Sequence, residues 1–138
     1  QTCLKGIRAK PGKFGSDPKD QASVHMALSE AYVLAETARS FVYDTVAALW
    51  QALLAGRQPT DGERIRLRLA NTHAHDAAAR STAQLYQVGG SAGIYLPNAL
   101  ERFFRDAHAA RQHVIANRMT FETAGRSLVT GKAAPWWS

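Results

Sequence analysis

The strongest constraint on the fold of this chain is a pair of long stretches that repeat at helical spacing. From Val24, the residues Leu28, Ala31, Ala35, Val42, Val46, Leu49 and Leu53 follow at steps of three, four or seven, which is one face of a single helix. Asp17 followed by Pro18 supplies an N-cap acceptor and a proline at the first helical position, and Gly56 ends the helix after about Ala55. Some 36 residues rising ~1.5 Å each make a rod of roughly 55 Å. A helix of that length needs neighbours to bury its apolar face.

The neighbours can be read further along. Gln58-Pro59-Thr60-Asp61-Gly62 is a turn, with Thr60 or Asp61 as the next N-cap and Glu63 in the first helical turn. A second long helix carries Ile65, Leu69, Thr72, Ala79, Ala83 and Tyr86 on one stripe. Leu67, Ala74, Ala78, Leu85 and Val88 widen that stripe, and alanines at 70, 74, 77, 78, 79 and 83 allow another helix to approach closely. Gly89-Gly90 stops it. A glycine-rich loop to Leu96 follows, and Pro97-Asn98 opens a third helix to about Arg111 with Leu100, Phe103, Phe104 and Ala107 inward. After a break over residues 112–117, Met119, Phe121, Ala124 and Leu128 mark a fourth helix ending at Gly131. No segment reads as a strand. The expected fold is all-α, an antiparallel four-helix bundle over residues 1–138 as one domain.

Composition narrows the function classes. Hydrophobic residues make up 46% and charged residues 20%, which suits a packed globular domain rather than a disordered one. Every apolar run is broken well short of a membrane span. The chain begins with Gln1 rather than Met, and no basic-then-apolar leader follows, so it is expected to be part of a longer protein with no signal peptide. The single cysteine, Cys3, excludes an internal disulfide and a cysteine-based zinc site, and it fits a cytoplasmic location. The net charge of +6 points to polyanions as partners, nucleic acid and phosphate-bearing cofactors among them. The basic residues are scattered, with no block beyond Arg64, Arg66 and Arg68, which argues against nucleic acid.

Five histidines stand out. His73 and His75 lie two apart, so a helix points them to different faces, and His108 and His113 lie five apart across a helix end. No carboxylate falls at the Glu-x-x-His spacing of a di-iron bundle, so no metal site is expected. His113 has the best case for chemistry, because it sits where helix gives way to loop and its imidazole exchanges protons near neutrality. Arg102 and Asp106, four apart, are placed to form an ion pair. Trp136 and Trp137 in the tail imply docking onto a second surface.

These residues also form a pattern. Gln87-Val88-Gly89-Gly90, then Leu96-Pro97 and Leu100-Glu101-Arg102-Phe103-Phe104-Arg105-Asp106-Ala107, resemble the C-terminal helical domain of the acyl-CoA dehydrogenase superfamily, with its Gln-x-x-Gly-Gly loop and Arg-Asp helix. Phe14-Gly15, Gln21 and Leu28-Ser29-Glu30-Ala31 resemble its opening loop and first long helix, so the likeness covers about residues 13–130. The dehydrogenases usually place a glutamate base near the position of Val114, which this chain lacks. Its Arg105-Asp106-Ala107-His108 followed by Gln112-His113 looks like the branch of two-component flavin-dependent monooxygenases.

That resemblance implies a site and partners. His113 would bond substrate and act as the catalytic residue, while Gln87, Gly89 and Gly90 would touch the flavin of a neighbouring subunit and Phe14 would lie near a flavin too. The family's arginine three residues before the phenylalanine is Pro11 here. The cofactor implied is reduced flavin, FMN or FAD, supplied by a separate reductase, and the chain would join a homo-tetramer. The expected function is the C-terminal domain of a three-domain monooxygenase that oxygenates a small aromatic substrate with O₂, the isolated chain being inactive. An acyl-CoA dehydrogenase domain and a non-catalytic helical oligomerisation module are the alternatives.

Overall fold

The computed structural model describes residues 20–90 and 99–132. Four helices form there: α1 over Ala22–Leu54, α2 over Asp61–Val88, α3 over Ala99–Ala110 and α4 over Met119–Thr130. A short 3₁₀ turn, Val114–Ala116, lies between α3 and α4. The described residues contain no strand, and the all-α expectation holds. The helix start expected at Asp17-Pro18, the opening of α3 at Pro97-Asn98 and the tail tryptophans lie outside the described residues.

The ends of the helices follow from local chemistry. Thr60 and Glu63 form a reciprocal capping box: the Glu63 N–H donates to Thr60 Oγ1 at 3.3 Å, and the Thr60 N–H donates to Glu63 Oε2 at 2.8 Å. Arg57 clamps the same carboxylate through both terminal nitrogens, at 2.8 and 2.7 Å. With the Arg57 guanidinium first and the Thr60 donors second, the Glu63 carboxyl is held down to about 2. At the end of α1 the Arg57 N–H reaches back to Ala52 O and the Gly56 N–H to Leu53 O, a glycine-terminated cap with Gly56 at φ 71°. Gly131, at φ 67°, closes α4 in the same left-handed conformation.

Two compact units divide the chain. The first takes α1 up to Ala35, α2 from Ala77, and α3 up to Ala109. Ser81 Oγ lies 3.5 Å from Ala31 O, and Gln84 Nε2 donates to Glu30 Oε2 at 2.5 Å, so rising numbers on one long helix meet falling numbers on the other. Here the two long helices run antiparallel. A side chain as short as serine reaches the opposite main chain because Ala31, Ala77 and Ala79 leave no bulk between them. Val24, Ala27 and Leu100 complete the buried set of this unit.

The second unit takes α1 from Glu36, α2 up to Asp76 and the chain from Ala110 onward. Its long helices are again antiparallel, with the Phe41 ring beside His73 and Arg66 Nε donating to Thr45 Oγ1 at 3.3 Å. Ile65 and Ala124 form a small apolar cluster against which Leu69 packs. The buried stripe of α4 is Thr120, Thr123, Ala124 and Ser127. Thr123 and Ser127 turn their hydroxyls back to the carbonyls four residues earlier, at 3.0 and 3.1 Å, so polar side chains are buried without losing hydrogen bonds.

The stripe that α1 buries differs from the expected face. It steps by seven through Val24, Ala31, Ala38, Thr45 and Ala52, whereas Ala35, Val46 and Leu53 are exposed. The same correction applies to Phe103, Met119 and Leu128, expected inward and found exposed, Leu128 at 73%. Hydrophobicity alone selects the larger side chains. Close approach of main chains selects the smaller ones and leaves the larger ones outside.

Candidate functional site

His113 is held at the entrance to the 3₁₀ turn by three main-chain bonds. Its N–H donates to Ala110 O at 3.1 Å, its carbonyl accepts from the Ala116 N–H at 2.8 Å, and its ring Nδ1 accepts from the Ile115 N–H at 3.4 Å. Its backbone is extended, at φ −63° and ψ 142°, so the chain leaves α3 and starts a new direction there. The turn itself is tied to α2, because Asn71 Nδ2 donates to Ile115 O at 3.0 Å and Thr72 Oγ1 approaches the same oxygen at 3.4 Å. The side chain of His113 is exposed. An Nδ1 that accepts from the main chain leaves the ring proton on Nε2, so a neutral His113 presents an N–H donor outward.

The glycine corner belongs to the first unit. Gln87 is exposed at the end of α2, and its amide has no hydrogen-bond partner among the described residues. Gly89 closes α2 by donating its N–H to Leu85 O at 3.0 Å. A Cβ at Gly89 would lie 3.2 Å from Leu100 Cδ2, so this glycine is where α3 comes against the end of α2. Gly90 differs: it adopts φ 54°, and a Cβ there would meet open space. Its need for glycine is conformational, not steric crowding. Phe14 lies outside the described residues.

Arg102 and Asp106 pair at 3.4 Å and Arg105 and Glu101 at 3.5 Å, each within one turn of α3 and exposed. These pairs decorate one helix and do not fasten it to another, and such exposed pairs contribute little. Among the described residues, no group of three or more His, Cys, Asp or Glu is placed to hold a metal ion. No helix of the described residues is long and apolar enough to cross a membrane.

One feature escaped the sequence reading. Tyr86, Phe104 and His108 form a ladder of rings, Tyr86 stacked on Phe104 at 4.9 Å and Phe104 tilted against His108 at 4.4 Å. The Nε2 of His108 is buried with no hydrogen-bond partner among the described residues. The i, i+4 spacing of Phe104 and His108 was the available signal, and the contribution of Tyr86 from another helix was not.

Comparison with known proteins follows the same lines. The family described as "Acyl-CoA dehydrogenase, C-terminal domain" matches residues 4–118. The chain belongs to this family. An indole-3-acetate monooxygenase of Acinetobacter baumannii is 30% identical over 129 residues, covering 91% of this chain and 33% of that protein. A second, from Pseudomonas putida, is 34% identical over 105 residues, 75% of this chain and 26% of that protein. A protein of Rhodococcus jostii described as the oxygenase subunit of a flavin-dependent monooxygenase is 28% identical, over 79% of this chain and 28% of its own length. The crystal structure of 3-HSA hydroxylase from Rhodococcus sp. RHA1 superposes with a TM-score of 0.83 at 24% identity, covering 99% of this chain and 34% of that one. The family fold is therefore that of this chain, which spans about a third or less of the length of these relatives.

Proposed function

We propose that this chain is the C-terminal helical domain of a flavin-dependent monooxygenase that uses reduced flavin and O₂ to oxygenate a small aromatic compound. Family membership supports the domain type, and the relatives' descriptions as monooxygenases, one of them flavin-dependent, support the reaction. The observation that carries the reading on this chain is His113. An exposed imidazole stands on a hydrogen-bonded turn where the dehydrogenases it resembles place a glutamate, and its outward nitrogen is a donor.

The reaction needs electrons that no side chain here supplies, and bound reduced flavin supplies them and the means to activate O₂. Two features of this chain fit an edge of that cofactor: the open space beyond Gly90 and the uncommitted amide of Gln87. Gln87, Gly89 and Gly90 would hold this edge for the flavin of a neighbouring copy, and Phe14 would lie near a flavin. A separate reductase would supply the FMN or FAD in its reduced form. His113 donates Nε2–H to the substrate oxygen, favouring its ionised form and fixing the ring's position.

The remaining walls of the site belong to the two other domains of a three-domain protein and to neighbouring copies in a tetramer. Exposed Val114, Leu128 and Val129 in the second unit, and exposed Phe103 in the first, fit surfaces that such partners cover. The assembled enzyme works in the cytoplasm, and the isolated chain is inactive. The test uses the full-length protein with a reductase and an aromatic acid. Consumption of O₂ with formation of hydroxylated product supports the oxygenase. Dye reduction by an acyl-CoA, without reductase or O₂, points instead to the dehydrogenase reading.

A further inference from the structure

Beside the His113 turn, a surface depression of about 360 Å³ is lined by Arg111, Gln112, Asn117 and Arg118. All four side chains carry N–H donors, and among the described residues no carboxylate lines the hollow. Their acceptor capacity is partly spent already, since Asn117 Oδ1 accepts from the Met119 N–H at 2.9 Å, which leaves the Asn117 amide group free to donate. The lining residues immediately flank the turn on both sides, two before His113–Ala116 and two after it.

The charge of the hollow is set by three groups. Arg111 Nη2 lies 3.2 Å from Asp76 Oδ1, close enough for Coulombic attraction but not aligned as a hydrogen bond, so that buried oxygen has no hydrogen-bond partner among the described residues. Arg118 is exposed, with no ion pair or hydrogen bond from its guanidinium among the described residues. Two guanidinium groups against one carboxylate leave a single positive charge, centred on Arg118. A planar fork with amide donors on either side is the arrangement that binds a carboxylate, and one net charge matches a monoanion better than a dianion.

We propose that this depression binds a carboxylate, and that it anchors the acid group of an aromatic acid whose ring extends toward His113. The second half of this statement rests on the oxygenase reading given above; the first half does not. Arg118 is the main anchor, Gln112 and Asn117 complete the donor set, and Arg111, tied to Asp76, shapes the edge.

The test is an NMR titration of the 138-residue chain with phenylacetate, with phenylacetamide as its uncharged counterpart and inorganic phosphate as the competing oxyanion. The expected result is saturable shifts at the side-chain N–H signals of Arg118, Gln112 and Asn117, silence with phenylacetamide, and weaker binding of phosphate. Arg118→Gln should weaken phenylacetate at least tenfold, Arg118→Lys should weaken it less, and Arg126→Gln, at an exposed arginine paired with Glu122, should leave it unchanged. The same spectra report whether each variant is folded, and Gln112→Ala, with an expected smaller loss, serves as the independent variant. Equal shifts with phenylacetamide, unchanged affinity in a folded Arg118→Gln, or tighter binding of phosphate would each overturn the carboxylate assignment. Because flavin and O₂ are absent from this titration, its outcome is separate from that of the oxygenation assay.

Discussion

Replacing Ala79 by leucine places three extra carbons at a position of α2 that is 0% exposed. In this unit a serine hydroxyl spans the gap to the main chain of α1 at 3.5 Å, so no room exists for a branched side chain without moving a helix. Overpacking of a filled interior costs about 1–3 kcal/mol, and the cost here should lie toward the upper end because the neighbouring Ala77 and Ala31 are also buried. In a chain of this size each kcal/mol lowers the midpoint by roughly 3–5 °C, so a cost of about 2–3 kcal/mol gives an expected loss of about 6–15 °C. The control exchanges the same three carbons in the opposite sense at a different place: Leu128→Ala, at a side chain 73% exposed, should change stability by less than about 0.5 kcal/mol. Thermal and urea unfolding of the 138-residue chain, followed by circular dichroism, measures both. If Leu128→Ala proves the more damaging of the two, the claim that small residues set the helix spacing is wrong.

Three further outcomes are expected. The Glu63 carboxyl is held at about 2 by Arg57 and Thr60, below its ordinary 4.5, so its contribution is fully present above pH 4.5 and is lost as pH falls toward 2; Glu63→Gln should flatten acid unfolding curves across that window, and an unchanged acid slope would refute the role of the clamp. Thr60→Ala removes one half of the capping box and should cost about 0.5–2 kcal/mol by urea unfolding, with no loss speaking against the cap. Gly90→Ala forces a Cβ into φ 54°, a strain of about 1–2 kcal/mol, and in the full-length protein it should weaken flavin retention; an equal effect from an alanine at Gln87 with none at Gly90 would remove the conformational argument.

Much of the architecture was legible because its punctuation is chemical. Thr60 with Glu63, Gly56 and Gly131 mark helix ends by groups that satisfy stray backbone donors and acceptors, and such signals are local. The alanines of α2 announced a close neighbour, and Ala70, Ala77 and Ala79 are buried against one. Which face turns inward was less legible. Periodicity scores hydrophobic size, so it pointed at Met119, Phe121 and Leu128, while α4 buries Thr120, Thr123 and Ser127, the last two with their hydroxyls bent onto its own carbonyls.

The site divides in the same way. His113 could be singled out because it follows a helix end, but the Ile115 N–H that selects its tautomer is a feature of three-dimensional turn geometry. The Tyr86–Phe104–His108 ladder joins α2 to α3, and residue spacing cannot register such a pairing. The Arg118 hollow was invisible for another reason: its charge depends on Asp76, distant in sequence, having engaged Arg111.

The decisive measurement is the yield of hydroxylated aromatic product per O₂ consumed, together with the Kd for reduced flavin, in the full-length protein and its His113→Ala variant. A donor that acts on substrate predicts that the yield falls by about a hundredfold while the Kd moves less than twofold. A variant that loses flavin and product in equal measure, or that hydroxylates as well as the parent, would contradict the account.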